Sequence, residues 1–247
     1  MNYHLAVCSH RRAIQFGLKT LHFLNLSKAP LPTVYVADEV DYAHYKTLYP
    51  HLEVVITQKG LANARNFVVD RRPVGERIVF LDDDVEDIVE LVQGRKQKVR
   101  DFNRLVQEGF GYAQELGTHL WGIYPTDSGL CLKPVVRQNL CLIVGAFFGI
   151  INQRLHVTLE EAEDNERTFQ HWLQDKKLCR LEFYGIKTKY YTNAGGMCDA
   201  RTVENNRKGK EMVLLKYPGL GKLFKAKNGW WNIRYTRYPA NFRARTS

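Results

Sequence analysis

The sequence predicts an α/β fold, a mostly parallel sheet flanked by helices, followed by a basic, aromatic C-terminal extension. Three observations carry this. Near-continuous apolar runs alternate with segments at helical spacing through the first half, the signature of parallel strands buried on both faces. Each of the first four apolar runs ends in polar residues, and in open α/β sheets the ligand crevice lies at the carboxyl ends of the strands. The charge is also uneven. The 247 residues carry a net +10, yet residues 207–247 hold eleven Lys and Arg against one acid, Glu211, leaving positions 1–206 with 25 basic and 25 acidic residues. A neutral body of residues 1–206 therefore carries a basic extension, residues 207–247.

The elements follow in order. Tyr3–Cys8 reads as a buried strand running into Ser9-His10-Arg11-Arg12, and Ala13–Leu24 as a helix with Ile14, Leu18 and Leu21 at helical spacing. Val34–Ala37 is a second strand ending at Asp38-Glu39, Asp41–Leu48 a helix stopped by Pro50, and Leu52–Thr57 a third strand. Gly60 makes a turn into the helix Leu61–Val69, and Arg77–Leu81 is a fourth strand running directly into Asp82-Asp83-Asp84, with a helix expected over Val85–Val92. Beyond it, Val99–Leu116 reads as a helix and Leu120–Tyr124 and Leu140–Phe148 as strands. Thr158–Leu173 begins acidic and becomes an amphipathic helix, and Leu181–Tyr191 is a strand or hairpin before a Gly195-Gly196 turn. Trp230, Trp231, Tyr235, Tyr238 and Phe242 make the extension too aromatic for a disordered arm.

Composition narrows the class. With 45% apolar and 12% aromatic residues the chain is globular, and collagen-like and low-complexity classes are excluded. Five cysteines without a C-x-x-C pair argue against a disulfide framework or a structural zinc, and point to a reducing cytoplasm. No signal peptide is legible, and the longest apolar stretch, Leu140 to Ile151, falls short of the roughly 20 residues that span a bilayer.

Three segments carry chemistry. Three successive carboxylates at a strand end repel one another unless neutralised. Alternation along an extended segment lets Asp82 and Asp84 offer oxygens to one site, and such hard ligands suit Mg²⁺ or Mn²⁺ shared with phosphates. The competing reading is a solvated acidic turn capping a following helix. In Gly60-Leu-Ala-Asn-Ala-Arg-Asn66, small residues allow close approach to the sheet, and Arg65 near a helix start favours phosphate. Glu160, Glu161, Glu163, Asp164 and Glu166 precede an amphipathic run. They are either ordinary first-turn acids or the source of a general base, for which Asp164 is the candidate.

In order and spacing, the Ser-His-Arg loop, Asp38, Gly-Leu-Ala-Asn-Ala-Arg-Asn, Phe-Leu-Asp-Asp-Asp-Val, Gly145-Ala-Phe-Phe-Gly149 and Glu163-Asp164 resemble the GT-A glycosyltransferases of the large family-2-like group, over roughly residues 3–175. The resemblance implies a GT-A-like, Rossmann-like sheet. It also implies that Ser9, Arg11 and Asp38 hold the nucleoside and that Gly60, Arg65 and Asn66 line the nucleotide site. Asp82 and Asp83 are then expected on the nucleotide-sugar, most readily a UDP-sugar, with Asp82 and Asp84 on Mn²⁺ or Mg²⁺ and Asp164 as the acceptor-side base. The Gly-Ala-Phe-Phe-Gly run is similar to the segment that floors the donor sugar. Many relatives add a late histidine to the metal, but the last one here is His171; Asp199 or water is the substitute. Lys208–Leu223 is similar to a stretch of the TET-associated glycosyltransferases of bacteriophages, proposed to glycosylate hydroxylated pyrimidines in DNA. The basic, aromatic extension fits DNA as the partner, since cations on phosphates and rings on exposed bases suit nucleic acid. An anionic membrane surface, a glycan, lipid or protein acceptor, and a non-catalytic nucleic-acid-binding module stay open. Inverting displacement is the favoured chemistry.

Overall fold

The computed structural model describes residues 2–188 and 202–238, and the backbone of 242–244. The first half is a parallel α/β unit. β1 (His4–Ser9) leads into a helix that runs as α1 (Ala13–Phe16), a π turn (Gly17–Leu21) and α2 (His22–Leu26); then follow β2 (Thr33–Val36), α3 (Glu39–Leu48), β3 (Glu53–Ile56), α4 (Leu61–Arg71) and β4 (Arg77–Asp82). β1 pairs in parallel with β2 and β4, and β2 with β3. This register sets Ser9 beside Val36 and Cys8 beside Asp82, so the polar loops gather at one edge of the sheet.

Period-two alternation divides the strands between two layers. Leu5, Val7, Val79 and Leu81 face a core shared with Phe16, Phe23, Tyr45, Phe102 and Phe110. Ala6, Ile78 and Phe80 face the opposite core, with Val68, Phe169, Trp172, Val213 and Tyr217. Within the first helix, Ala13, Phe16, Leu21, Phe23 and Leu24 are buried, whereas Ile14 and Leu18 are 70% and 74% exposed. The apolar spacing that predicts this helix therefore includes two residues on its solvent side.

After the acid turn the chain departs from expectation. Val85–Val92 is not a helix: β5 (Asp87–Val92) pairs antiparallel with β6 (Arg95–Lys98) and with β10 (Cys179–Lys187). The two-residue connection Gln93-Gly94 has φ of 48° and 75°, the doubly positive turn that matches strand twist, and β-branched Ile88, Val89 and Val92 suit a strand. The acidic turn thus has no helix N-terminus to cap. Leu140–Phe148 is likewise not one strand: β9 is Phe147–Ile151, antiparallel to β4 and β7 (Leu120–Tyr124). Residues 140–146 stay irregular because side chains take their backbone groups. Arg180 donates to Leu142 O, Thr168 accepts from Ile143 N–H and Arg65 donates to Gly145 O.

α5 (Phe102–Leu116), α6 (Glu163–Asp175) after a 3₁₀ turn (Glu160–Ala162), and α7 (Val203–Lys216) complete the helices. The sheet is mixed, in the order β13-β8-β10-β7-β9-β4-β1-β2-β3, with β8 at Val135–Arg137 and β13 at Phe242–Ala244. A separate ribbon of β11 (Gly221–Lys225) and β12 (Trp231–Tyr235) follows α7. The Gly195-Gly196 turn and Asp199 lie outside the described residues, as do the side chains of Phe242, Arg243 and Arg245. No helix among the described residues is long and apolar enough to cross a membrane.

Candidate active site

The acid turn at the carboxyl end of β4 is held from below and from both sides. Thr20 of the π turn is fully buried; its hydroxyl donates to Asp82 O at 2.8 Å and accepts from Val85 N–H at 3.0 Å. Arg12 donates to Asp83 at 3.1 Å and to Asp84 at 3.3 Å. Ser9 donates to the other Asp83 oxygen at 2.5 Å and accepts from the buried Tyr45 hydroxyl at 2.7 Å. Asp84 accepts from Thr188 at 3.0 Å. Asp82, with its side chain one-third exposed, accepts from Arg65 at 2.8 Å. Among the described residues, the guanidinium groups of Arg12 and Arg65 reach these carboxylates. Burial and the neighbouring carboxylates push Asp82 up to about 7 against the pull of Arg65. Burial, opposed by Arg12 and reinforced by Asp84, pushes Asp83 up to about 6. The hard carboxylate oxygens of this turn fit a divalent cation.

Arg65 joins this turn to α6. It also donates to Gly145 O at 2.8 Å and to Glu163, which Arg167 bridges from the other side. Arg167 lies 3.6 Å from the Phe148 ring centroid, and Phe148 stacks on Phe80. The approach is so close at Gly145 that a Cβ there would lie 2.6 Å from Glu163 Oε1, 3.0 Å from Arg65 Nη1 and 3.6 Å from Asp164 Cβ. Gly149, the other glycine of the run, accommodates the Trp121 ring in the core. Asp164 itself is 24% exposed. Burial would raise its carboxyl, but Lys210, Arg167 and hydrogen bonds from Asn165 outweigh that and hold it below the usual range. It is ionised at neutral pH.

The remaining expected residues form other arrangements. Arg11 is exposed, at φ 57°, and its amide donates to both Asp41 oxygens at 3.0 Å. Asp38 caps α3 through Asp41 N–H at 2.9 Å, and His10 bonds Asp41 at 2.9 Å. Among the described residues, His10, Asp38 and Asp41 are the His, Cys or acidic side chains that meet as a three-membered cluster within 4.8 Å. It stands at the ends of β1 and β2, and hydrogen bonds already engage its oxygens. Gly60, at φ 108°, leaves room for the Glu160 carboxylate, which accepts from Leu61 N–H at 2.8 Å and Ala62 N–H at 3.2 Å. The helix amides expected to face phosphate are thus capped by Glu160. Asn66 exchanges hydrogen bonds with the Val157 backbone.

The chain is similar to glucosyl-3-phosphoglycerate synthase from Mycobacterium tuberculosis in complex with phosphoglyceric acid, at 10% identity and TM-score 0.50, over 90% of this chain and 84% of that one. The chain has a GT-A-like fold. At TM-score 0.48 it is also similar to GalNAc-T7 with UDP, GalNAc and Mn²⁺, at 11% identity over 87% of this chain and 48% of that one. No protein-family model and no curated protein matches the sequence.

Within this GT-A-like frame, several residues that shape the site escape a reading of the sequence. Arg12 rather than its neighbour Arg11 reaches the acid turn, because the left-handed turn at Arg11 redirects the chain. Glu163 and Asp164 are about 100° apart around α6, so one points to the arginines and the other to α7. A signal for Lys210 does exist: Asn206, Lys210, Val213 and Tyr217 recur at helical spacing and are all buried. Lys210 Nζ is 4.0 Å from Asp164 Oδ1.

Proposed function

We propose that the protein is a metal-dependent glycosyltransferase that moves a sugar from a nucleotide-sugar, most readily a UDP-sugar, to a hydroxyl group. The observation that carries the reading is the convergence, in a GT-A-like fold, of the acid turn and Asp164 through Arg65, Glu163 and Gly145. Asp82 and Asp84 would hold Mn²⁺ or Mg²⁺, with Asp82 and Asp83 lying toward the donor. The bound ion supplies charge neutralisation to the departing diphosphate. Ser9, Arg11, Asp38, Gly60, Arg65 and Asn66 are the donor-side residues of this reading. Several of them act indirectly: Ser9 orients Asp83, Arg65 orients Asp82, and Asn66 anchors the backbone at Val157. Asp164 accepts the acceptor's hydroxyl proton as the acceptor oxygen bonds the anomeric carbon and the bond from that carbon to the diphosphate breaks. The outcome is inversion. A positioned carboxylate base contributes about 10²–10⁴-fold.

The acceptor in this reading is a hydroxymethylated pyrimidine base in DNA. Support comes from the ribbon β11–β12, whose opposed pairs alternate between two faces. Ile233 is buried beneath it, whereas Lys222 opposes Arg234 on the outer face, with Arg234 stacked 5.1 Å from the Phe224 ring centroid. A two-stranded ribbon fits the DNA major groove, and cations with adjacent rings suit phosphates and unstacked bases.

The test has two steps. A thermal-shift screen of nucleotide-sugars with Mn²⁺ should name one stabilising donor. That donor should then label duplex DNA containing 5-hydroxymethylcytosine, and transfer should fall at least 10²-fold in Asp164→Ala and Asp84→Ala. Activity surviving in both variants sinks the mechanism. Labelling of a glycan or protein but not DNA sinks the acceptor assignment alone.

A further inference from the structure

The acidic start of α6 and the basic extension are complementary at the level of single atoms. Glu166, fully buried, accepts from Thr158 N–H at 2.7 Å, Leu159 N–H at 2.9 Å and Lys216 at 2.5 Å. Tyr235 of β12 donates to Asn165 Oδ1 at 2.9 Å, which orients that amide so that its Nδ2 donates to Asp164 Oδ1 at 2.5 Å. The Asn165 backbone N–H donates to the same oxygen at 2.8 Å. α7 comes close enough to aim Lys210 because position 209 is glycine: a Cβ there would lie 2.7 Å from Glu161 Cβ. Lys210 is left with only 9% of its side chain exposed, 4.0 Å from that same Asp164 oxygen.

We infer that the C-terminal extension completes the active site, with Lys210 as the positioning residue that keeps Asp164 ionised and Tyr235 as the group that fixes its orientation through Asn165. The inference rests on the reading of Asp164 as the acceptor-side base. Its logic is electrostatic. At 4.0 Å the ammonium stabilises the carboxylate without occupying a lone pair by a short hydrogen bond. The contacts collect on Oδ1, leaving Oδ2 as the oxygen to receive a proton. Once Asp164 is protonated, Lys210 is a buried cation beside a neutral acid, which favours release of that proton before the next turnover. Among the described residues, the other charged or titratable groups close to Asp164 include Arg167 and Glu163 on its own helix, Arg65 of α4 across Gly145, and Tyr235, whose burial raises its hydroxyl well above the usual value.

Because the Asn165 backbone amide donates to Asp164, its ¹H–¹⁵N resonance reports that carboxyl's titration, and Asp164→Asn identifies the transition. Lys210→Met should raise the midpoint by about one pH unit, the scale set by a unit charge at 4 Å between watery and protein-like dielectrics. Lys210→Arg should restore most of the shift. Tyr235→Phe should broaden or displace the Asn165 side-chain resonances without changing the charge. With UDP-glucose, Mn²⁺ and DNA containing 5-hydroxymethylcytosine, Lys210→Met should move the acid limb of the kcat profile upward by the same interval and leave KM for UDP-glucose unchanged. A midpoint that stays put in folded Lys210→Met overturns the inference, as does a moved midpoint with an unmoved pH profile. If the wild type transfers no sugar from any nucleotide-sugar of the thermal-shift screen while the midpoint moves as expected, the enzymatic reading fails and the electrostatic link stands.

Discussion

Gly145 shows how tightly single residues constrain the site. Its missing side chain makes room for the buried Arg65–Glu163 ion pair and for Asp164 beside it. Gly145→Ala should therefore cost about 1–3 kcal/mol of stability, in line with overpacking elsewhere, as measured by urea unfolding. His171 supplies a second residue-scale expectation. It is 3% exposed, its Nδ1 has no hydrogen-bond partner, and burial first, then Arg167, lowers its pKa from 6.5 to about 3 against the opposing pull of Asp175. The folded state holds this ring neutral, whereas the unfolded chain protonates it near pH 6.5. Its contribution is complete above that pH and is lost as the pH falls, by about 2 kcal/mol at pH 5. The stability of the wild type relative to His171→Leu should therefore fall by about 2 kcal/mol between pH 7 and 5, read as the difference between their urea-unfolding free energies at each pH.

At the scale of elements, the π turn and the hairpin after the acid turn matter most. The π turn sets Thr20 beneath Asp82 and Val85, one hydroxyl serving a buried carbonyl and a buried amide. π-Bulges of this kind occur often at functional sites. Thr20→Val should destabilise the protein by about 1–3 kcal/mol by orphaning both groups and should weaken Mn²⁺ binding measured by calorimetry; Thr20→Ser should restore most of both. The Gln93-Gly94 turn holds Gln93 at φ 48°, where asparagine is the favoured residue. Gln93→Asn should stabilise the fold by a few tenths of a kcal/mol, read as a higher urea midpoint with unchanged slope, and leave the site untouched.

For the whole molecule, the basic extension has two faces. Lys210 and Lys216 turn inward to Asp164 and Glu166, while Lys222 and Arg234 turn outward on the ribbon. The net charge of +10 is therefore not only a surface property. Val213, Tyr217, Leu220 and Ile233 of the extension are buried in one core with Phe169 and Trp172. Burying such side chains contributes roughly 1.5–3 kcal/mol each, a sum comparable to the 5–15 kcal/mol that holds a typical domain together. A chain ending at residue 202 should not persist as a folded core with weakened acceptor binding; circular dichroism and a collapsed amide spectrum should show general loss of structure.

Much of the fold was legible in the residues. The strands from Tyr3 to Leu81, their intervening helices and the gathering of polar residues at one sheet edge follow from apolar patterning, which depends on neighbours two to four positions apart. The strand at Asp87–Val92 was not legible, because a short apolar run does not distinguish helix from strand and the pairing that joins it to the main sheet is to the remote β10, as between Asp87 and Lys187. The pairings of the site were hidden for the same reason. Arg65 meets Glu163 across 98 positions, Lys216 meets Glu166 across 50, and Arg12 displaces Arg11 through one left-handed residue. The sequence by itself determined which segments form the sheet and where its charges cluster, since local periodicity and burial are encoded locally. Only the tertiary structure decided which cation answers which carboxylate, because that depends on distances between elements remote in the chain.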